Sequence, residues 1–169
     1  YDASSWSCVG GSQSGSQVTL ALGGSATCTI TNDDRAPKLT LVKQVVNDNG
    51  GTALASAWTL AASGPTGFSG QTPAASGASF DAGTYNLSES GGPAGYDASA
   101  WVCSPAGNQV DGDTVSVGLG DDVTCTITNN DKAGRLVVVK RVVNDNGGSA
   151  APSAWTMNVC LGRLAILRA

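Results

Sequence analysis

Histidine is absent from this 169-residue chain, only 13% of its residues are charged and only 5% are aromatic. Without histidine there is no Ser-His or Cys-His nucleophile pair and no Cys2His2 metal set. No CxxC pair occurs either, so the five cysteines do not read as a zinc site. Basic residues number nine against thirteen acidic ones, giving a formal charge of -4 and no basic patch. Nucleic acid and anionic membrane surfaces are therefore poor partners. No apolar run approaches the ~20 residues of a membrane helix, so no membrane insertion is expected of these residues. Nothing resembles a signal peptide, and the chain opens inside a repeated sequence.

Glycine, serine, threonine, alanine and valine dominate instead, a composition suited to short strands and polar turns. Internal repetition organises them. YDASSWSC at Tyr1 to Cys8 returns as YDASAWVC at Tyr96 to Cys103. TCTITNDD at Thr27 to Asp34 returns as TCTITNND at Thr124 to Asp131, and LTLVKQVVNDNGG at Leu39 returns as LVVVKRVVNDNGG at Leu136. The unit is a little under ~100 residues, the size of a domain rather than of a solenoid repeat. The expected organisation is one complete copy over 36–131, the C-terminal part of a preceding copy over 1–34, and the opening of a further copy over 135–157. Residues 158–169 depart from the repeat, with an unpaired Cys160, and read as a truncated or frameshifted end.

Turn sequences NDNGG, SGPTGFSG, SGGPAG, SPAGN and LGDD divide the complete copy into short apolar runs. Strands are expected near 38–46, 57–62, 78–81, 84–88, 98–103, 113–117 and 123–129. About seven short antiparallel strands read as an all-β, Ig-like sandwich. Its core would hold Leu39, Leu41, Trp58, Tyr85, Leu87, Trp101, Val123 and Ile127, with Trp6 packed likewise in the preceding copy.

Three polar residues share the parity of that core. Lys43 follows Leu39 and Leu41 on one strand, Glu89 follows Tyr85 and Leu87 on another, and Asn129 follows Val123, Cys125 and Ile127 on a third. An ammonium or carboxylate buried without a partner usually neutralises. A neutral Lys43 amine is a nucleophile, and a neutral Glu89 acid beside the Asn129 amide polarises its carbonyl and shuttles a proton to departing ammonia. The product is a Lys43–Asn129 isopeptide bond, formed once per molecule without turnover. In a plainer account Lys43 runs its ammonium out to water, Glu89 caps a turn and Asn129 bonds backbone.

GTYNLSESGGPAGY at 83–96, LTLVK at 39–43 and CTITN at 125–129 together resemble the signature strands of collagen-adhesin B-type and SpaA-like prealbumin-fold domains of Gram-positive surface proteins. With WxC and VVNDNGG added, the set is most similar to actinobacterial SpaA-like repeats, over the whole of 36–131 and parts of both flanks. The resemblance implies a rigid, prealbumin-like stalk or adhesin module at the cell wall surface. No enzyme, cofactor or metal is expected, since the chain has no histidine, no nucleophile elbow and no metal set. The resemblance implies neighbouring repeats of the chain as partners, with a host or extracellular-matrix protein or a glycan as a further one. It also implies a Lys43–Asn129 bond assisted by Glu89. The cysteines depart from that pattern. A Cys103–Cys125 disulfide would close a loop of 22 residues, contribute roughly 3 kcal/mol, and accompany or replace the isopeptide. Cys8 and Cys28 hold the matching positions, and four matched cysteines point to an exported protein.

The other signals read more plainly. NDNGG lacks the spacing and distal glutamate of a calcium loop and is expected to be a turn. Asp111, Asp113, Asp121 and Asp122 read as solvated loop acids. The alternative function is a carbohydrate- or protein-binding sandwich using exposed loops around Trp58 or NDNGG.

Overall fold

A computed structural model describes residues 1–159, in two compact units, 1–133 and the chain from Gly134 onward. In chain order the strands are β1 (Asp2–Ala3), β2 (Ser7–Val9), β3 (Ser12–Ser14), β4 (Gln17–Thr19), β5 (Thr27–Thr29), β6 (Asn32–Asp33), β7 (Lys38–Val46), β8 (Trp58–Ser63), β9 (Phe68–Gly70), β10 (Ala74–Ala75), β11 (Gly83–Gly91), β12 (Tyr96–Ala98), β13 (Val102–Ser104), β14 (Thr114–Val117) and β15 (Asp122–Asp131).

Two sheets make the sandwich. One has the order β10-β7-β15-β12, with β13 also on β15, and the other β14-β11-β8-β9. Alternation along β7, β11 and β15 sends every second residue into the space between them. Leu39, Leu41, Leu60, Tyr85, Leu87, Trp101, Val115, Val117, Val123 and Ile127 are buried there. The eight expected core residues are all buried.

Four expectations about strands need correction. The first and last strands, β7 and β15, pair in parallel, with Lys38 opposite Asp122 and Val46 opposite Asn130. Residues 78–81 form no strand: Phe80 follows a turn at Ala78 and Ser79 and is stacked on Tyr85 at 4.5 Å. The SGPTGFSG stretch contains β9, because Phe68 packs on that same Phe80. The run 98–103 is broken in two, β12 and β13 meeting β15 at separate places. The Gln109 side chain bridges the break, accepting from the Cys103 N–H and donating to the Trp101 and Asp111 carbonyls.

Residues 1–34 build the same ladder on a smaller scale. Ala3 faces Asn32 and Cys8 faces Cys28, as Ala98 faces Asn129 and Cys103 faces Cys125. Gln13 repeats the part of Gln109, accepting from the Cys8 N–H and donating to the Trp6 carbonyl. Trp6 itself is 45% exposed, against the expectation that it is core, whereas Trp101 belongs to the buried cluster that includes Tyr85 and Val115. In the unit from Gly134 the described residues form one short turn of 3-10 helix, Pro152–Ala154, and the Lys140 ammonium lies 4.8 Å from the Trp155 ring centre. The atypical tail lies, from residue 160, outside the described residues.

Candidate functional site

The site sits where one end of β7, β15 and β11 converge across the sandwich. Parallel register places Ile127 beside Lys43 and Asn129 beside Val45, so the Lys43 and Asn129 side chains enter the core two residues apart on neighbouring strands. From the opposite sheet, Glu89 of β11 stands against Leu60 of β8. Its carboxylate receives both groups. Lys43 Nζ donates to Glu89 Oε2, and Asn129 Nδ2 donates to Glu89 Oε1 at 3.0 Å. The Lys43 ammonium therefore does not reach water, Glu89 caps no turn, and the Asn129 side chain bonds Glu89 rather than backbone.

Burial sets the electrostatics. The Lys43 side chain is 0% exposed and that of Glu89 16%, so the pair is nearly dry. Desolvation pushes the Lys43 ammonium below its ordinary range, against the opposing pull of the Glu89 carboxylate. Trp58 offers its face to Lys43 Nζ, 4.9 Å from the ring centre, and is held edge-on by Tyr96. Behind the indole lies Gly92, where a Cβ would collide with the ring. Trp58 is thus a buried wall of the site, not the exposed platform that a ligand-binding loop needs.

One buried polar atom is left over. Asn129 Oδ1 has no hydrogen-bond partner, an arrangement that costs roughly 1–3 kcal/mol. A half-turn of the amide would bring Oδ1 to Glu89, where it can accept only if that carboxyl carries a proton. Two nitrogens, an unsatisfied carbonyl and one carboxyl group able to relay protons are the components of an acyl transfer from nitrogen to nitrogen.

Beside this site the NDNGG turn closes on the end of β15. Asp131, buried, accepts N–H bonds from Asp48 and Asn49 at 3.0 Å and from Gly51 at 2.6 Å. Burial pushes the Asp131 carboxyl up, but the bonds from Gly51, Asn49 and Asp48 outweigh it and hold it below 3.8. Tyr96 completes the clamp, its hydroxyl donating to Asn47 Oδ1 at 2.5 Å and accepting from the Ala53 N–H. The sequence reading missed Asp131. The available signal was its recurrence as Asp34 at the end of the earlier TCTITN run.

Both cysteine pairs are bonded, Cys8 to Cys28 and Cys103 to Cys125. Each joins residues directly opposed on paired strands. Among the described residues no cluster of three or more metal-ligating side chains occurs.

Comparison with known proteins agrees with this architecture. A family model described as a prealbumin-like fold domain, of the SpaA type, matches residues 1–30 and 34–127. No curated protein and no solved structure matches the chain. Domains of this type are generally structural modules and belong to surface proteins of Gram-positive bacteria. Two disulfides, a two-layer sandwich and a match spanning most of its length agree: the chain belongs to the SpaA-type prealbumin-like fold domain family.

Proposed function

We propose that the chain is a load-bearing stalk or adhesin segment of a secreted or wall-attached surface protein, built from successive copies of one domain and locked by a Lys43–Asn129 isopeptide bond. Residues 36–131 are the complete copy, while 1–34 and 135–157 belong to neighbouring copies. The matching registers around Cys8–Cys28 and Cys103–Cys125 support that division. The observation that carries the crosslink is one partly buried carboxylate holding both Lys43 Nζ and the Asn129 amide.

The chemistry balances within these three side chains. A proton passes from the Lys43 ammonium to Glu89, leaving a neutral amine. Nζ attacks Asn129 Cγ, the new C–N bond forms, and Glu89 lends its proton to the carbonyl oxygen. As the Cγ–Nδ2 bond breaks, Glu89 carries a proton from the attacking to the departing nitrogen, and ammonia leaves with the remaining proton as ammonium. The product is an amide that needs no turnover and no cofactor.

A mechanical role follows from the parallel pair. Tension enters at the start of β7 and leaves at the end of β15, at opposite ends of neighbouring strands. With residues 43 and 129 joined, load crosses near the exit and bypasses everything between them. Intact mass of the full chain tests this reading: one ammonia should be missing from the sequence mass, beyond the disulfide hydrogens. A fragment spectrum should show a branched peptide joining residues 43 and 129. Glu89→Ala should restore the full mass, and a parent chain of full mass refutes the bond.

A further inference from the structure

The pentapeptide Asn-Asp-Asn-Gly-Gly occurs twice, at 47–51 and 144–148. Both copies fold alike locally. Asn47 Nδ2 donates to the Ala53 carbonyl at 3.1 Å, and Asn144 Nδ2 donates to the Ala150 carbonyl at 3.0 Å. Gly50 and Gly147 both have positive φ, 95° and 86°, with open space around them. The central asparagines differ. Asn49 is tied by its N–H to both Asp131 carboxylate oxygens at 3.0 Å and by Nδ2 to the Asp131 carbonyl at 3.0 Å. Within its own unit, Asn146 Nδ2 has one bond among the described residues, to Asp145 Oδ1 at 3.1 Å.

An asparagine followed by glycine has a reaction open to it that bulkier successors obstruct. The glycine nitrogen, losing its proton to solvent base, attacks the side-chain Cγ. A C–N bond closes a succinimide, the Cγ–Nδ2 bond breaks and ammonia leaves. Water then opens the ring at either carbonyl to give aspartate or isoaspartate. The backbone and side chain must both turn to bring nitrogen to Cγ, so bonds that fix either one hold the residue back until the loop opens.

We propose that Asn146–Gly147 is a site of spontaneous succinimide formation and deamidation, and that the Asp131 clamp protects the identical Asn49–Gly50. Charge-assisted bonds from the loop N–H groups to a buried carboxylate must break before Asn49 can react. Among the described residues of its unit, nothing comparable holds Asn146. The protection also has a direction: an aspartate at 49 would set a second carboxylate against Asp131 and disfavour reclosure. Docking of an NDNGG loop onto a strand-end aspartate thus leaves a chemical record in the chain.

The test is peptide mapping of the full chain during incubation at mildly alkaline pH, following aspartate, isoaspartate and succinimide at both sites. Asn146 should convert at least about tenfold faster than Asn49, the factor that one net charged hydrogen bond represents. In denaturant the two rates should converge, because the flanking sequences are nearly the same. Asp131→Ala should raise the Asn49 rate towards that of Asn146 while the Cys103–Cys125 disulfide and the strand circular dichroism persist. Equal native rates in the parent, or an Asn49 rate unmoved in folded Asp131→Ala, overturn the proposal. The parent comparison needs no variant, so it decides even if Asp131→Ala fails to fold. Succinimide and isopeptide each lose one ammonia, but fragment spectra assign the loss to different residues.

Discussion

Removing the Glu89 carboxylate separates two consequences that the wild-type protein superimposes. On the proposed reading, Glu89→Ala abolishes the proton relay and with it the crosslink. A bond between residues 43 and 129 closes a loop of 86 residues (129 − 43), and constraint of the unfolded chain by such a loop is worth about 5 kcal/mol. The same substitution leaves the Lys43 ammonium, with its side chain 0% exposed, without its carboxylate partner. An unpaired buried charge of this kind costs about 3–5 kcal/mol. Lys43→Met/Glu89→Ala removes that charge while still lacking the crosslink. The order of stability is therefore parent, then the double variant, then Glu89→Ala.

Urea unfolding read by Trp fluorescence, with intact mass recorded on each sample, measures both gaps. At a slope of about 2 kcal/mol/M, each gap moves the midpoint by roughly 2 M. pH supplies an independent check on the single variant. Burial holds the Lys43 pKa below 10.5 in the fold, so between the folded value and 10.5 the unfolded chain binds more protons. Stability of Glu89→Ala must then rise with pH through that window, and the Lys43→Met background must lack the rise. Equal midpoints for Glu89→Ala and the double variant, with no such slope, would show that Lys43 reaches water and refute the reasoning.

Three further outcomes follow from the surroundings of the site. Asp131→Asn should flatten the acid limb of the stability curve: the depressed carboxyl stabilises the fold above 3.8, and that contribution disappears as pH falls through its folded pKa. Equilibrium unfolding at a series of acidic pH values checks it, and an unchanged limb counts against the clamp. Cys103→Ser/Cys125→Ser, which opens a loop with a sequence separation of 22, should cost about 3 kcal/mol in urea. Gly92→Ala should lower stability by about 2–4 kcal/mol, because φ is +78° and the new methyl meets the Trp58 indole. A shift in Trp fluorescence should accompany it, and an unperturbed Tm would show that the indole does not rest on that backbone.

Legibility in the sequence followed the kind of partner each residue has. Glu89 was found because strand alternation leaves an acid in line with Tyr85 and Leu87, and its partners Lys43 and Asn129 break the same alternation on their own strands. Lys43 alone was ambiguous, since Val42 and Val46 make both faces of β7 apolar; burial of Leu39 and Leu41 resolves it. Parallel pairing of β7 with β15 was not legible, because turn residues report only local reversals and these strands lie at opposite ends of the domain. The strand expected at 78–81 failed for a related reason. Phe80 is buried by stacking on Tyr85 and edge contact with Phe68, and side-chain burial in an irregular segment mimics the apolar spacing of a strand. Asp131 was the harder case. A carboxylate at a strand end is ordinarily solvated, and its partners here are the N–H groups of Asp48, Asn49 and Gly51 some 80 residues away. Side-chain partners leave a trace in residue type, whereas every non-proline residue offers the same N–H. The trace that survives is recurrence: an aspartate closes each TCTITN run and NDNGG follows each LxxVK run, and where 47–51 meets Asp131 they are two halves of one contact written far apart.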